Sequence, residues 1–142
     1  MAATNHITAR WLGDMSFEST NPSGHTLRID ASPADGGAGA GLRPKALMLS
    51  SLAGCSGLDV ASLIRKMKLE VRDFRIDIDA ALSESHPQTY TSVRVEFHFF
   101  GPNLDHKKLE RAVQLSVEKY CGVMEMFRRF AAVEHAALFH DE

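Results

Sequence analysis

Two cysteines, Cys55 and Cys121, have the most direct claim to chemistry in this sequence. A thiolate is a nucleophile, and a thiol that meets a second thiol can close a disulfide. Cys55 lies in SSLAGCSG (residues 50–57), among small residues that let backbone or another chain come close. Cys121 lies in EKYCGVMEMF (residues 118–127). Taken alone, each reads first as a small buried hydrophobe, which is what a free cysteine usually is. The two do not form a C-x-x-C pair, so a thioredoxin-type mechanism is not indicated, and only tertiary structure can bring them together.

Other chemistries find less support. The seven histidines show neither H-x3–5-H nor HExxH spacing, and two lone cysteines do not make a zinc site, so no metal is expected. The glycine-rich stretch SPADGGAGAGLRP (residues 32–44) lacks the Lys-Ser/Thr ending of a phosphate-binding loop and reads as a flexible loop. No G-x-S-x-G is present. Asp77 and Asp79 share one face of an alternating segment and read as a solvated face.

The elements that must position the thiols follow from periodicity. Pro44 suits the first turn of a helix, and a helical pattern runs from Lys45 to about Lys68. Its apolar residues cover most of the circumference, interrupted by Ser50, Ser51, Ser56, Asp59 and Ser62, so the helix should be central and in need of cover on every side. One chain of this length would struggle to provide that cover, which points to a partner subunit. Residues 74–82 and 90–100 alternate polar and apolar, which predicts an antiparallel pair with one face buried. Asp105 is a good N-cap for a helix carrying Leu109, Ala112, Val113, Val117 and Tyr120. Gly122 should end or kink it, a shorter helix should resume near Met124, and residues 136–139 suggest a short last strand. The N-terminal third reads as short strands and turns, including the cluster around Asn21–His25.

Composition sets the outer bounds. The chain has 142 residues, 44% hydrophobic and 24% charged, with a net charge of −2 from 16 basic and 18 acidic residues. That is ordinary for one globular domain spanning residues 1–142 and gives no electrostatic reason to expect nucleic acid as partner. The first twenty residues carry no apolar core of a secretory signal, and no run of about 18 continuous apolar residues predicts a membrane span. A cytoplasmic setting is expected, where paired thiols are more often reactive than static.

The stretch RPKALMLSSLAGCSGLDVASLIRKM (residues 43–67), the strand pair after it and NLDHKKLERAVQLSVEKYCGVMEMF (residues 103–127) resemble the OsmC/Ohr family, the osmotically inducible and organic hydroperoxide resistance proteins. The resemblance covers roughly residues 15–130. Its most specific elements are a proline followed eleven positions later by a cysteine on a buried helix, then a second cysteine ending a later helix. The C-S-x-x-D-V phrase, the SGH turn at residues 23–25 and the YCGV phrase at residues 120–123 look most like the less characterised OsmC-like branch.

The resemblance implies an α+β fold, with antiparallel sheets wrapped around two central helices in an intertwined homodimer. It also implies a thiol-dependent peroxidase acting on organic hydroperoxides. Cys55 matches the family's peroxide-attacking cysteine and Cys121 the resolving one. No resident cofactor is implied, only an external small dithiol or lipoyl-type reductant. The sequence departs from the family's peroxidases at one point: they carry a Glu directly after the motif proline, orienting a catalytic Arg from an N-terminal loop, and here Lys45 follows Pro44. Arg43 and Lys45 are the substitute cations by sequence position, His25 is a further polar candidate, and Asp59 lies one turn beyond Cys55. The alternatives are a small-molecule-binding module without catalysis and a dithiol–disulfide exchange protein.

Overall fold

The computed structural model describes residues 2–142. The chain divides into two compact units, one ending at Leu49 and the other covering Ser50–Glu142. In the N-terminal unit, β1 (Ala9–Gly13), β2 (Ser16–Thr20) and β3 (Thr26–Asp30) form an antiparallel meander. Trp11 pairs directly with Phe17 across β1 and β2, and both side chains are exposed. The glycine-rich segment, expected to lack structured elements, carries local order. It makes a single 3₁₀ turn at Pro33–Asp35, the amide of Ala40 donates to the buried Asp30 carboxylate at 3.0 Å, and Leu42 bridges to Ile29 beside β3. Gly41 is required by that return: a Cβ there would stand 2.6 Å from the Arg28 carbonyl oxygen.

Helix α1 (Pro44–Met67) starts at the proline and ends where the sequence predicts. Lys68 takes a left-handed conformation (φ 55°), and the amide of Leu69 reaches back to the Ile64 carbonyl at 3.0 Å, which closes the helix end. Within this chain only Leu52, Ser56 and Val60 of α1 are buried, while Leu58 is 74% exposed. The helix is long and apolar enough to cross a membrane by length and composition alone, a test it passes despite the polar residues that break its apolar run. Gly57 has a packing reason to lack a side chain, since a Cβ would meet Ile76 of the next strand at 3.2 Å; at Gly54 a Cβ would meet only open space.

In the C-terminal unit, β4 (Asp73–Leu82) pairs antiparallel with β5 (Tyr90–Gly101) as the alternation predicts. The last strand, β6 (Ala132–Asp141), is ten residues long, far longer than the expected four, and pairs parallel to β5. The apolar face of β5 presents Val93, Val95, Phe97 and Phe99, all buried. Phe99 lies opposite Phe74 in the register on one side and Phe139 on the other, with ring centroids 4.8 and 5.8 Å away, so one aromatic rung ties three strands. Helix α2 (His106–Leu115) begins at Asp105, whose side chain accepts from the Lys108 amide at 3.1 Å, and buries Leu109, Ala112 and Val113. A π-helical turn (Ser116–Tyr120) follows, then α3 (Gly122–Arg128), which buries Met124 and Phe127.

Replacing Phe99 by Ala empties the centre of the aromatic rung. Urea unfolding of Phe99→Ala should show a loss of about 3–5 kcal/mol; a loss below about 1 kcal/mol would show that the rung is not the core of the sheet.

Candidate functional site

The two cysteines, far apart in sequence, meet in the C-terminal unit. Both are free thiols, with Cys55 half-buried and Cys121 only 3% exposed. The Cys55 side chain lies within hydrogen-bonding reach of Cys121. Two elements make the meeting possible. Helix α1 carries Cys55 on the flank of its buried stripe, next to Ser56, which is fully buried. The π-helical turn widens the end of the second helix, so that the Cys121 amide reaches the Ser116 carbonyl five residues back, at 2.8 Å. Extra-wide turns of this kind are frequent at functional sites. Cys121 then serves as the N-cap of α3, its sulfur accepting from the Met124 amide at 3.3 Å.

A small polar network surrounds the buried sulfur. The Ser56 hydroxyl donates to the Cys121 sulfur at 3.2 Å. Ser116, also fully buried, donates its hydroxyl towards the Ser56 carbonyl at 3.2 Å and the Asp59 carboxylate at 3.0 Å. Among the described residues no buried side-chain nitrogen or oxygen lacks a partner. Burial pushes the Cys121 thiol above its ordinary range. The Ser56 hydroxyl and the Met124 amide, which would both stabilise a thiolate, pull it part of the way back, and the neighbouring Cys55 adds to the rise. With two donors already aimed at its sulfur, Cys121 keeps its own S–H free to point at Cys55.

Of the residues singled out by sequence, the structure brings Cys55, Cys121 and Asp59 into one region. Asp59 is not a bare anion beside Cys55: its carboxylate is engaged by Ser116. Arg43 immediately precedes α1, Lys45 occupies its first turn and His25 ends the turn before β3; all three are exposed and belong to the N-terminal unit. Ser56 and Ser116 are the site residues that sequence reasoning missed. Ser56 reads as one more polar interruption of an apolar helix, and nothing in the spacing tells Ser116 from any other helical serine.

A family model described as OsmC-like protein matches residues 36–136. The curated protein YhfA of Escherichia coli is 28% identical over 127 residues, covering 89% of this chain and 92% of its own. Among solved structures, a hypothetical protein from Aquifex aeolicus superposes with a TM-score of 0.81 at 26% identity, covering 98% of this chain and 99% of its own. The organic hydroperoxide resistance protein OhrB of Bacillus subtilis does so with a TM-score of 0.64 at 21% identity, covering 95% and 98%.

The Ser56 hydroxyl is one of the donors that favour ionised Cys121. In Ser56→Ala the pH profile of Cys121 alkylation, read by mass spectrometry in a Cys55→Ser background, should move to higher pH; an unmoved profile would show that the hydroxyl does not act on the sulfur. Stability should follow the sign of the burial effect. Below the ordinary thiol range, near about pH 8.5, both states hold the Cys121 proton. As pH climbs past it the unfolded chain ionises first, so folding stability should fall towards the raised folded value. Cys121→Ala should flatten that fall, and an equally steep fall in the variant would contradict the assignment.

Proposed function

The chain belongs to the OsmC-like protein family, and from that premise we propose that it is a thiol-dependent peroxidase that reduces organic hydroperoxides through Cys55 and Cys121. The observation that carries the reading is the meeting of the two free thiols, one half-buried and one enclosed.

The roles follow from that asymmetry. Cys55, the more accessible sulfur, attacks the terminal oxygen of the hydroperoxide as the thiolate. The O–O bond breaks, its electron pair leaves with the alkoxide, which takes up a proton to become the alcohol, and Cys55 is left as sulfenic acid. Cys121 keeps its proton through this step because burial disfavours its charge, and its S–H is placed to donate towards Cys55. In the second step the Cys121 sulfur displaces hydroxide from the sulfenic acid. A disulfide forms, and the hydroxide leaves as water with the Cys121 proton. The Ser56 hydroxyl and the Met124 amide support the negative charge on Cys121 as that proton departs. An external dithiol of the lipoyl type then exchanges with the disulfide and restores both thiols. The reading assigns the cycle to the cytoplasm, where such reductants keep thiols reduced.

The same reading includes a homodimer built on α1. Supporting it are the exposed apolar positions of that helix, Met48 and Leu58 above all, and the open space at Gly54 directly before Cys55. A helix apolar nearly all round is stable when covered. The polar side of α1 that holds Ser56 and Asp59 is already engaged with Ser116 and Cys121, which favours a second protein chain over lipid as the cover.

A dithiol–disulfide exchange protein is the second reading, favoured by Lys45 standing where the family's peroxidases carry the glutamate that orients their catalytic arginine. One experiment separates the two. Reduced protein given one equivalent of cumene hydroperoxide should lose two thiols per chain much faster than free cysteine does, and Cys55→Ser should not. Oxidation by small disulfides but not by the hydroperoxide would instead establish the exchange reading. For the dimer, sedimentation should give twice the chain mass for the wild type and a single chain mass for Leu58→Asp; a monomeric wild type would refute it.

A further inference from the structure

The polar face of the C-terminal sheet holds a group of side chains that the thiol chemistry does not use. Asp77 of β4 and Glu96 of β5 stand directly opposite each other in the antiparallel register. Like charges so placed repel, and a cation between them removes the penalty. His98, two residues beyond Glu96 on the same face of β5, is 8% exposed and turns its Nε2 towards both carboxylates, 3.2 Å from Glu96 Oε1 and 3.4 Å from Asp77 Oδ2. The three ligand atoms lie within 4.8 Å of one another.

Those separations fit a coordination shell. A zinc ion bound at about 2.0–2.1 Å by a nitrogen and an oxygen in tetrahedral array keeps the two about 3.3–3.4 Å apart. The observed nitrogen–oxygen distances bracket that edge. Only the gap between the half-buried carboxylates has to shorten, by rotation of their side chains.

The surroundings have the form of an outer shell. His98 Nδ1 faces His140 Nε2 at 2.9 Å, so a metal-bound His98 would donate its remaining N–H to His140, which fixes the tautomer with Nε2 free for the metal. His140 is in turn stacked on Phe100 at 4.4 Å. Glu96 divides its oxygens, Oε2 taking Arg94 Nε at 3.0 Å and Oε1 facing His98. Arg75 Nε binds both oxygens of Asp77 at 3.1 Å. The two guanidiniums already balance the two carboxylates, which limits the site to modest affinity.

We propose that Asp77, Glu96 and His98 form a divalent-metal site of the zinc type across β4 and β5, with a water molecule completing the tetrahedron. The sequence conceals it because the ligands come from two strands, Asp77 alone on one and Glu96 with His98 at the two-residue spacing of the other; the expectation of no metal rested on spacings suited to helices and zinc fingers. The site is independent of the peroxidase reading and clasps the edge strand β4 to the central strand β5.

Metal-stripped full-length protein carrying Cys55→Ser and Cys121→Ser, which leaves no thiolate to compete, is titrated with Zn²⁺ by calorimetry and with Co²⁺ in the visible range. The expected result is one saturable equivalent of Zn²⁺ per chain and the intense d–d absorption of tetrahedral Co²⁺. Glu96→Gln, nearly isosteric and on the half-exposed side of the site, should weaken Zn²⁺ binding about tenfold or more. His98→Gln should abolish it, with circular dichroism confirming the fold. If that variant fails to fold, Glu96→Gln decides alone. No saturable binding, or an affinity that Glu96→Gln leaves within about threefold of the parent, overturns the proposal.

Discussion

A thiol taken out of water must be given hydrogen-bond partners, and the centre of the C-terminal unit is organised by that demand. The Cys121 sulfur accepts from the Ser56 hydroxyl and from the first turn of α3. Ser56 is fixed because its carbonyl accepts from Ser116, and Ser116 is turned by Asp59. The chain of contacts crosses from α1 to the π-helical turn and back. It fixes the rotation of α1 about its axis, and with it the direction in which Cys55 faces. Moving any one of these groups would leave a buried polar atom without a partner, at a cost of about 1–3 kcal/mol, so the pairing of the cysteines is held by the polar network as much as by apolar packing.

The second constraint is α1 itself. A helix of 24 residues that buries three of them in its own chain carries more apolar surface than this chain covers. The glycines divide the matter. Gly57 is explained by Ile76 pressing against the helix, while Gly54 faces open space one residue before Cys55. In the proposed function that open space would serve a hydroperoxide entering the site or a second chain lying along the helix.

Much of this was legible in the sequence, and the limits of legibility are physical. Alternation gave β4 and β5 because one face of each is wet and the other dry, and Pro44 and Asp105 mark helix starts through local backbone chemistry. β6 was underestimated because AVEHAALFHD lacks a clean period of two; its pairing with β5 is parallel and depends on a long crossover. The π-helical turn has no local signature, being one residue's worth of slack taken up by tertiary packing. Ser56, Ser116 and the Asp77–Glu96–His98 group were invisible for a common reason: each matters through a partner on another element. Cys55 and Cys121 could be singled out by type, but their meeting is a property of the fold.

The account depends most on those two sulfurs joining within one chain. Protein oxidised by one equivalent of organic hydroperoxide, alkylated and digested with trypsin without reduction, tests it by mass spectrometry. The predicted principal product joins peptide 46–65 to peptide 120–128 through one disulfide and disappears on treatment with a dithiol. Cys55 carried on to sulfinic acid while Cys121 remains a free thiol would contradict it.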